Sequence, residues 1–195
     1  MSKPLMVHVI TNFAGVGGAE MMLARLIQCT EHQYEHVIIA LMKTSEVYQS
    51  TLDRCQAHYA LDWNGINTLG TVSKLRTLLK KLQPATVQCW MYHANVLTSL
   101  SIIGLAQKPK VVWGIHHSLA SPKDESISTK IALGLSKILS QQASAIIYCA
   151  HSSMQQHQAF GFKNGNSQVI ANGVFLDKFQ PNPQLHEPTV IGFAG

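Results

Sequence analysis

Two groups of histidines stand where a parallel sheet would place chemistry. His93 follows the run Trp90-Met-Tyr92, and His116-His117-Ser118 follows the apolar run Val111-Val-Trp-Gly-Ile115. If both runs are strands of an open α/β sheet, their carboxyl ends open onto one crevice, and the two groups are expected to converge there. A histidine in such a crevice titrates near neutrality, so it can hydrogen-bond a sugar hydroxyl or share charge with a phosphate. One strand-end histidine is more often structural; two shift the balance toward a ligand. A Ser-His-Asp hydrolase is not indicated, since no GxSxG elbow exists, and no HExxH or comparable spacing points to a metal.

The second candidate is the turn Gly15-Val-Gly-Gly-Ala-Glu20, between a β-branched run and a helix-like segment. Backbone N–H groups at a helix N-terminus can face an anion, and glycine lets the backbone approach it closely. The same turn also fits a purely structural role, in which Gly17 or Gly18 supplies a positive φ or close packing. It is not a dinucleotide fingerprint. The third glycine of GxGxxG would fall at Glu20, and the end of the second strand, Ala40-Leu-Met-Lys43, offers no acid for a ribose diol. The GK[ST] of a P-loop is missing too.

The elements that would position these residues alternate along the chain. Strand-like runs at 6–10, 36–41, 58–61, 86–90, 110–116, 145–150 and 168–171 are separated by helix-like segments at 19–29, 45–57, 71–82, 95–106 and 127–142. A further helix starts near Ser152 and Ser153, where Gln155 or Gln156 gives capping-box spacing, and Gly161 closes it. About seven strands alternating with helices predict an α/β fold with a doubly wound, mostly parallel, Rossmann-like sheet. The unit spans 1–180. Pro181, Pro183 and Pro188 punctuate a linker at 181–188, and 189–195 reads as the first strand of a further domain.

Composition narrows the function classes. The 195 residues are 46% hydrophobic and only 13% charged, which excludes disorder and leaves a surface rich in Ser, Gln, Asn, Thr and His. The net charge of +5 comes from 15 Lys and Arg spread along the chain without a run, so a nucleic-acid partner is not expected. Cys29, Cys55, Cys89 and Cys149 form no CxxC pair and read as reduced, mostly buried thiols. No signal peptide or membrane span is evident, so a cytoplasmic protein is expected. The segment 71–82 carries Val72, Leu75, Leu79 and Leu82 on one face and Lys74, Arg76, Lys80 and Lys81 elsewhere. That is a core-packing helix with a solvated basic face, and its alternative reading is a contact with anionic lipid.

Taken in order, these pieces resemble the N-terminal half of GT-B glycosyltransferases of family 4. The resemblance rests on Gly15-x-Gly-Gly-Ala-Glu20, Trp90-Met-Tyr-His-Ala-Asn95, the His116 strand end and Ser152-Ser153. It extends to Ala171-Asn-Gly-Val-Phe-Leu-Asp-Lys-Phe-Gln-Pro181. In that last segment Phe175 stands where an acid is common, which leaves Asp177 without a clear counterpart.

The resemblance implies a two-domain retaining enzyme whose first half binds mainly the acceptor, a glycan or lipid-linked molecule, while a second half binds a nucleotide-sugar. It implies that Gly15, Gly17 and Gly18 lie near the donor diphosphate and that His116 contacts the transferred sugar. His93, Asn95, His117 and Ser118 become acceptor-side candidates, and Asn172 and Gly173 mark the domain junction. The family's donor motif, two glutamates separated by seven residues in the second domain, has no counterpart in this chain, so the chain alone is expected to be inactive. No cofactor and no obligatory metal are expected. The implied setting is surface polysaccharide or glycolipid synthesis in the cytoplasm, with peripheral contact at the inner face of the plasma membrane. A sugar-nucleotide epimerase or phosphorylase of the same architecture, or a standalone Rossmann-like binding module, are the alternatives.

Overall fold

In the computed structural model, residues 3–176 are described. The expected linker at 181–188, the strand at 189–195 and Asp177 lie outside them. Seven strands form one sheet: β1 (Leu5–Ile10), β2 (Glu35–Ala40), β3 (Ala57–Ala60), β4 (Thr86–Trp90), β5 (Lys110–Ile115), β6 (Ala145–Tyr148) and β7 (Ser167–Val169). Their order is β3-β2-β1-β4-β5-β6-β7, and every pairing is parallel. The direction of winding reverses between β1 and β4, which sets the switch point where such sheets open a crevice.

The central strands are apolar on both faces because helices cover both. Helix α1 (Gly18–Thr30) and the short α2 (Gln49–Leu52) close one side over Ile10, Phe13, Leu23, Ile27, Ile38 and Trp90. Helices α3 (Thr68–Leu82), α4 (Met91–Ser101), α5 (Ile127–Leu139) and α6 (His151–Phe160) belong to the other side. There the larger core runs through Val7, Val37, Val87, Trp113, Ile146 and Tyr148.

Several boundaries differ from the sequence reading. The helix expected at 45–57 is a single 3-10 turn, with Ser45 Oγ accepting from the Val47 N–H, followed by the four residues of α2. The helix expected from 95 begins four residues earlier, because β4 passes into α4 with no loop. Met91 makes that turn at φ 71, a left-handed conformation unusual for a side chain with a Cβ. Helix α6 is capped at Ala150, so neither Ser152 nor Ser153 forms the expected capping box, while Gly161 does close the helix at φ 115. Of the four thiols only Cys89 is buried, and Cys29 is exposed.

Candidate active site

The carboxyl ends of β1, β4 and β5 meet at the switch point, and His116 is the histidine that occupies it. Its imidazole lies flat on the Trp90 indole, with ring centroids 5.0 Å apart and planes 16° apart. Gly114 makes this possible. It pairs with Trp90 across the strands, and a Cβ there would stand 3.3 Å from the Cys89 carbonyl oxygen and 3.4 Å from His116 Nε2. The His116 N–H donates to the Met91 sulfur at 3.4 Å, tying the end of β5 to the strained start of α4. On the ring, Nδ1–H donates to Asn172 Oδ1 at 3.2 Å. With Nδ1 carrying the proton, Nε2 holds the lone pair. Burial pushes the His116 pKa down, partly offset by the Asn172 bond, so the ring is neutral at pH 7.

Beneath Trp90 runs a buried polar relay that fixes its own direction. Thr30 Oγ1 spends its proton on the Leu26 carbonyl at 2.5 Å, so at 3.1 Å it can only accept from His36 Nε2–H. His36 Nδ1 is therefore bare and accepts from His8 Nε2–H at 3.0 Å. His8 Nδ1 in turn accepts from the Trp90 indole N–H at 3.4 Å. Both histidines are neutral, of one tautomer, and essentially without exposed surface. Burial, then the neighbouring His36, pushes the His8 pKa down to about 3; burial lowers His36 as well. The sequence reading missed this relay, since His8 and His36 sit inside strands that read as apolar. The available signal was a histidine set between Val7 and Val9 in one strand and another directly before the apolar run Val37-Ile-Ile-Ala40 in a second.

His93 does not join His116. It lies on α4 rather than at a strand end, because Met91 turns the chain directly into the helix. Its ring packs 5.1 Å from the Trp63 ring, and Nε2 is 3.3 Å from Ser128 Oγ, among the helices of the other side. The expected convergence therefore fails. Asn95 is wholly buried in α4, so it has no surface to offer an acceptor. His117 is held by Glu125, Nε2 to Oε1 at 2.7 Å, and its carbonyl accepts from Ser153 Oγ at 2.7 Å. Ser118 Oγ donates to Gln156 Oε1, which also accepts the Leu119 N–H. Ser153 and Gln156, expected at a helix cap, thus hold the loop that follows β5.

The glycine turn precedes α1, with Gly17 as its N-cap. None of Gly15, Gly17 and Gly18 has a positive φ, which removes one structural reading of the turn. The other, close packing, is weak: a Cβ at Gly17 would meet only the Glu20 carboxylate, the end of a side chain that can turn aside, and one at Gly15 or Gly18 would meet nothing within 4 Å. Gly15 accepts a bond from Tyr48 Oη at 3.1 Å through its carbonyl. The α1 N-terminus is free of any side-chain cap bond, with Glu20 the acid in its first turn. After β7 the chain returns across the top of the sheet. Asn172 meets His116, and the Gly173 carbonyl accepts from Arg25 of α1 at 2.8 Å.

The sequence model of Glycosyltransferase Family 4 matches residues 16–178. The chain belongs to that family. None of the curated proteins matches it in sequence. Among solved structures it is similar to Anabaena HepE in complex with UDP, with a TM-score of 0.70 and 16% identity over 91% of this chain and 46% of that one. The lipopolysaccharide outer core galactosyltransferase WaaB gives 0.68 and 13%, over 94% and 50%. UDP-N-acetylglucosamine 2-epimerase from Rickettsia bellii gives 0.60 and 12%, over 88% and 45%. At these identities the likeness shows the fold, that of an N-terminal GT-B domain. The chain spans about half the length of these proteins.

Proposed function

We propose that this chain is the acceptor-side half of a retaining glycosyltransferase. The enzyme transfers a hexose-type sugar from a nucleotide-sugar to a glycan or lipid-linked acceptor in surface polysaccharide or glycolipid synthesis. The observation that carries the reading is His116: a neutral imidazole at the switch point, clamped between Trp90 and Asn172, in a chain of this family. Its Nε2 lone pair can accept a hydrogen bond from a hydroxyl of the transferred sugar and so orient the anomeric carbon. The α1 N-terminus, with Gly15, Gly17 and Gly18 in the turn before it, can stabilise charge growing on the leaving nucleoside diphosphate. Glu20 must first rotate off Gly17, since its carboxylate would repel the diphosphate.

In this reading the second half of the enzyme supplies the donor site, so the chain alone turns over no nucleotide-sugar. No metal is required, and the protein works in the cytoplasm with peripheral contact at the inner face of the plasma membrane. The test is turnover by the full-length protein, which His116→Ala is expected to reduce by at least about a hundredfold. Full activity in that variant overturns the role given to His116. Products that are epimerised free sugars rather than transferred ones turn the reading toward the epimerases that share the fold.

A further inference from the structure

The smaller core, between α1 and the sheet, carries a line of polar side chains through apolar surroundings. Side chains two apart on a strand share a face, so His8 lies with Ile10 and His36 with Ile38, both of which are buried on the α1 side. The two histidines are 0% and 1% exposed. Each has given up its water, a cost that an aliphatic pair filling the same space would not carry. Breaches of a local rule of this kind are expected where a function requires them.

The line starts on the last turn of α1, at the Leu26 carbonyl and Thr30, and ends on the indole of Trp90, the last residue of β4. Each link has a fixed direction, so His8 presents a bare Nδ1 to the indole N–H. An indole turned over about its Cβ–Cγ bond would bury that N–H without an acceptor and leave His8 Nδ1 without a donor. The ring is therefore held one way round. One of its faces carries His116, whose imidazole lies 16° from coplanar with it. Among the described residues the His116 ring has one hydrogen bond, to Asn172, so its tilt is set by the flat contact with Trp90.

We infer that His8 and His36 are positioning residues for His116: they hold Trp90 in the orientation on which the sugar-contacting imidazole can lie. The inference rests on the role proposed above for His116 and names the buried groups that set its alignment. Neither histidine has surface with which to touch a substrate, so both act through the indole. A proton on either bare Nδ1 would turn that acceptor into a donor aimed at another donor and break the line. His8 faces His36 and, across the indole, His116. His36 faces Thr30, Glu31, which favours its charge, and Lys3, which opposes it, with the Tyr34 ring 6.3 Å away. Burial outweighs them all and keeps the pair neutral at pH 7.

NMR of the full-length protein, isotope-labelled at histidine and tryptophan, tests the inference. In the parent, His8 and His36 should each show a bare Nδ1 and a protonated Nε2, and the Trp90 indole proton should be protected from exchange. His8→Leu removes the acceptor, so the His116 Cε1 proton should lose its ring-current shift and the His116 pKa, lowered by burial, should climb toward its ordinary value. His8→Asn puts an amide oxygen within reach of the indole N–H and should restore both. His36→Leu frees the His8 tautomer and should act in the same direction as His8→Leu. Turnover should follow the same order, with kcat down by about tenfold or more at an unchanged KM in His8→Leu and most of it regained in His8→Asn. Both His8 variants strand His36 Nδ1 and should lose stability to urea, so a displacement of His116 confined to leucine is an effect of position. A freely exchanging Trp90 indole proton in the parent, an unmoved His116 in a folded His8→Leu, or asparagine as disruptive as leucine overturns the inference. Parent turnover in His8→Leu beside an inactive His116→Ala refutes this inference alone, whereas parent turnover in His116→Ala refutes the role proposed for His116 itself.

Discussion

Acid should unfold this domain through its buried histidines, and His8 sets the size of the effect. Its folded pKa is pushed down to about 3 from an unfolded value of 6.5. The unfolded chain therefore binds a proton that the folded chain refuses, and stability is complete above pH 6.5 and lost as pH falls toward 3. Each unit in that window removes about 1.4 kcal/mol per group, so going from pH 7.5 to 5.0 costs about 2 kcal/mol from His8 alone. His36 acts in the same direction. Replacement by leucine removes the titration but strands the Trp90 indole N–H and His36 Nδ1, at about 1–3 kcal/mol for each buried polar atom left unpaired. His8→Leu should therefore be less stable than the parent at pH 7.5, and the gap should narrow by about 2 kcal/mol at pH 5.0. Urea unfolding followed by tryptophan fluorescence at both pH values measures this directly. Parallel losses in parent and variant would refute the lowered His8 pKa and the burial on which it rests.

Other expectations concern the clamp on His116. Gly114→Ala should cost about 1 kcal/mol and push the imidazole off the indole, because the new methyl lies within 3.4 Å of the ring. The loss of the Trp90 ring-current shift on the His116 Cε1 proton reports it, and an unchanged spectrum counts against the stacking. Asn172→Ala removes a bond that raises the His116 pKa, so an NMR titration should show that pKa falling further. Chelation of divalent metal should leave the full-length transfer rate unchanged; a rate restored only by added Mg²⁺ or Mn²⁺ would refute the metal-free mechanism.

The sheet was legible in the sequence because parallel strands covered on both faces read as short apolar runs, and β4 falls on the residues expected of it. Helix α3 was legible from its stripe of Leu75 and Leu79, both buried in the structure. Two things were not. The start of α4 depends on Met91 adopting a positive φ, a choice imposed by tertiary packing against the His116 N–H and invisible to propensity. The pairing of His8 with His36 depends on strand register, which sets His8 beside Ile38 and Met6 beside His36 and brings two rings from different strands into line. The histidine at 116 was found by its place after an apolar run, but the same argument misplaced His93, since a strand that enters a helix without a loop has no free end to display.

The return of the chain from β7 to α1 has a mechanical consequence. Residues 172–175 leave the edge of the sheet, touch His116 through Asn172 and settle on α1 through Gly173, where Met22, Leu26 and Phe175 line a shared hollow. The polypeptide thus departs beside the middle of the sheet rather than from its rim. A shift of Asn172 would break its bond to the His116 Nδ1–H, so the alignment of the imidazole depends on how residues 172–175 are held against α1.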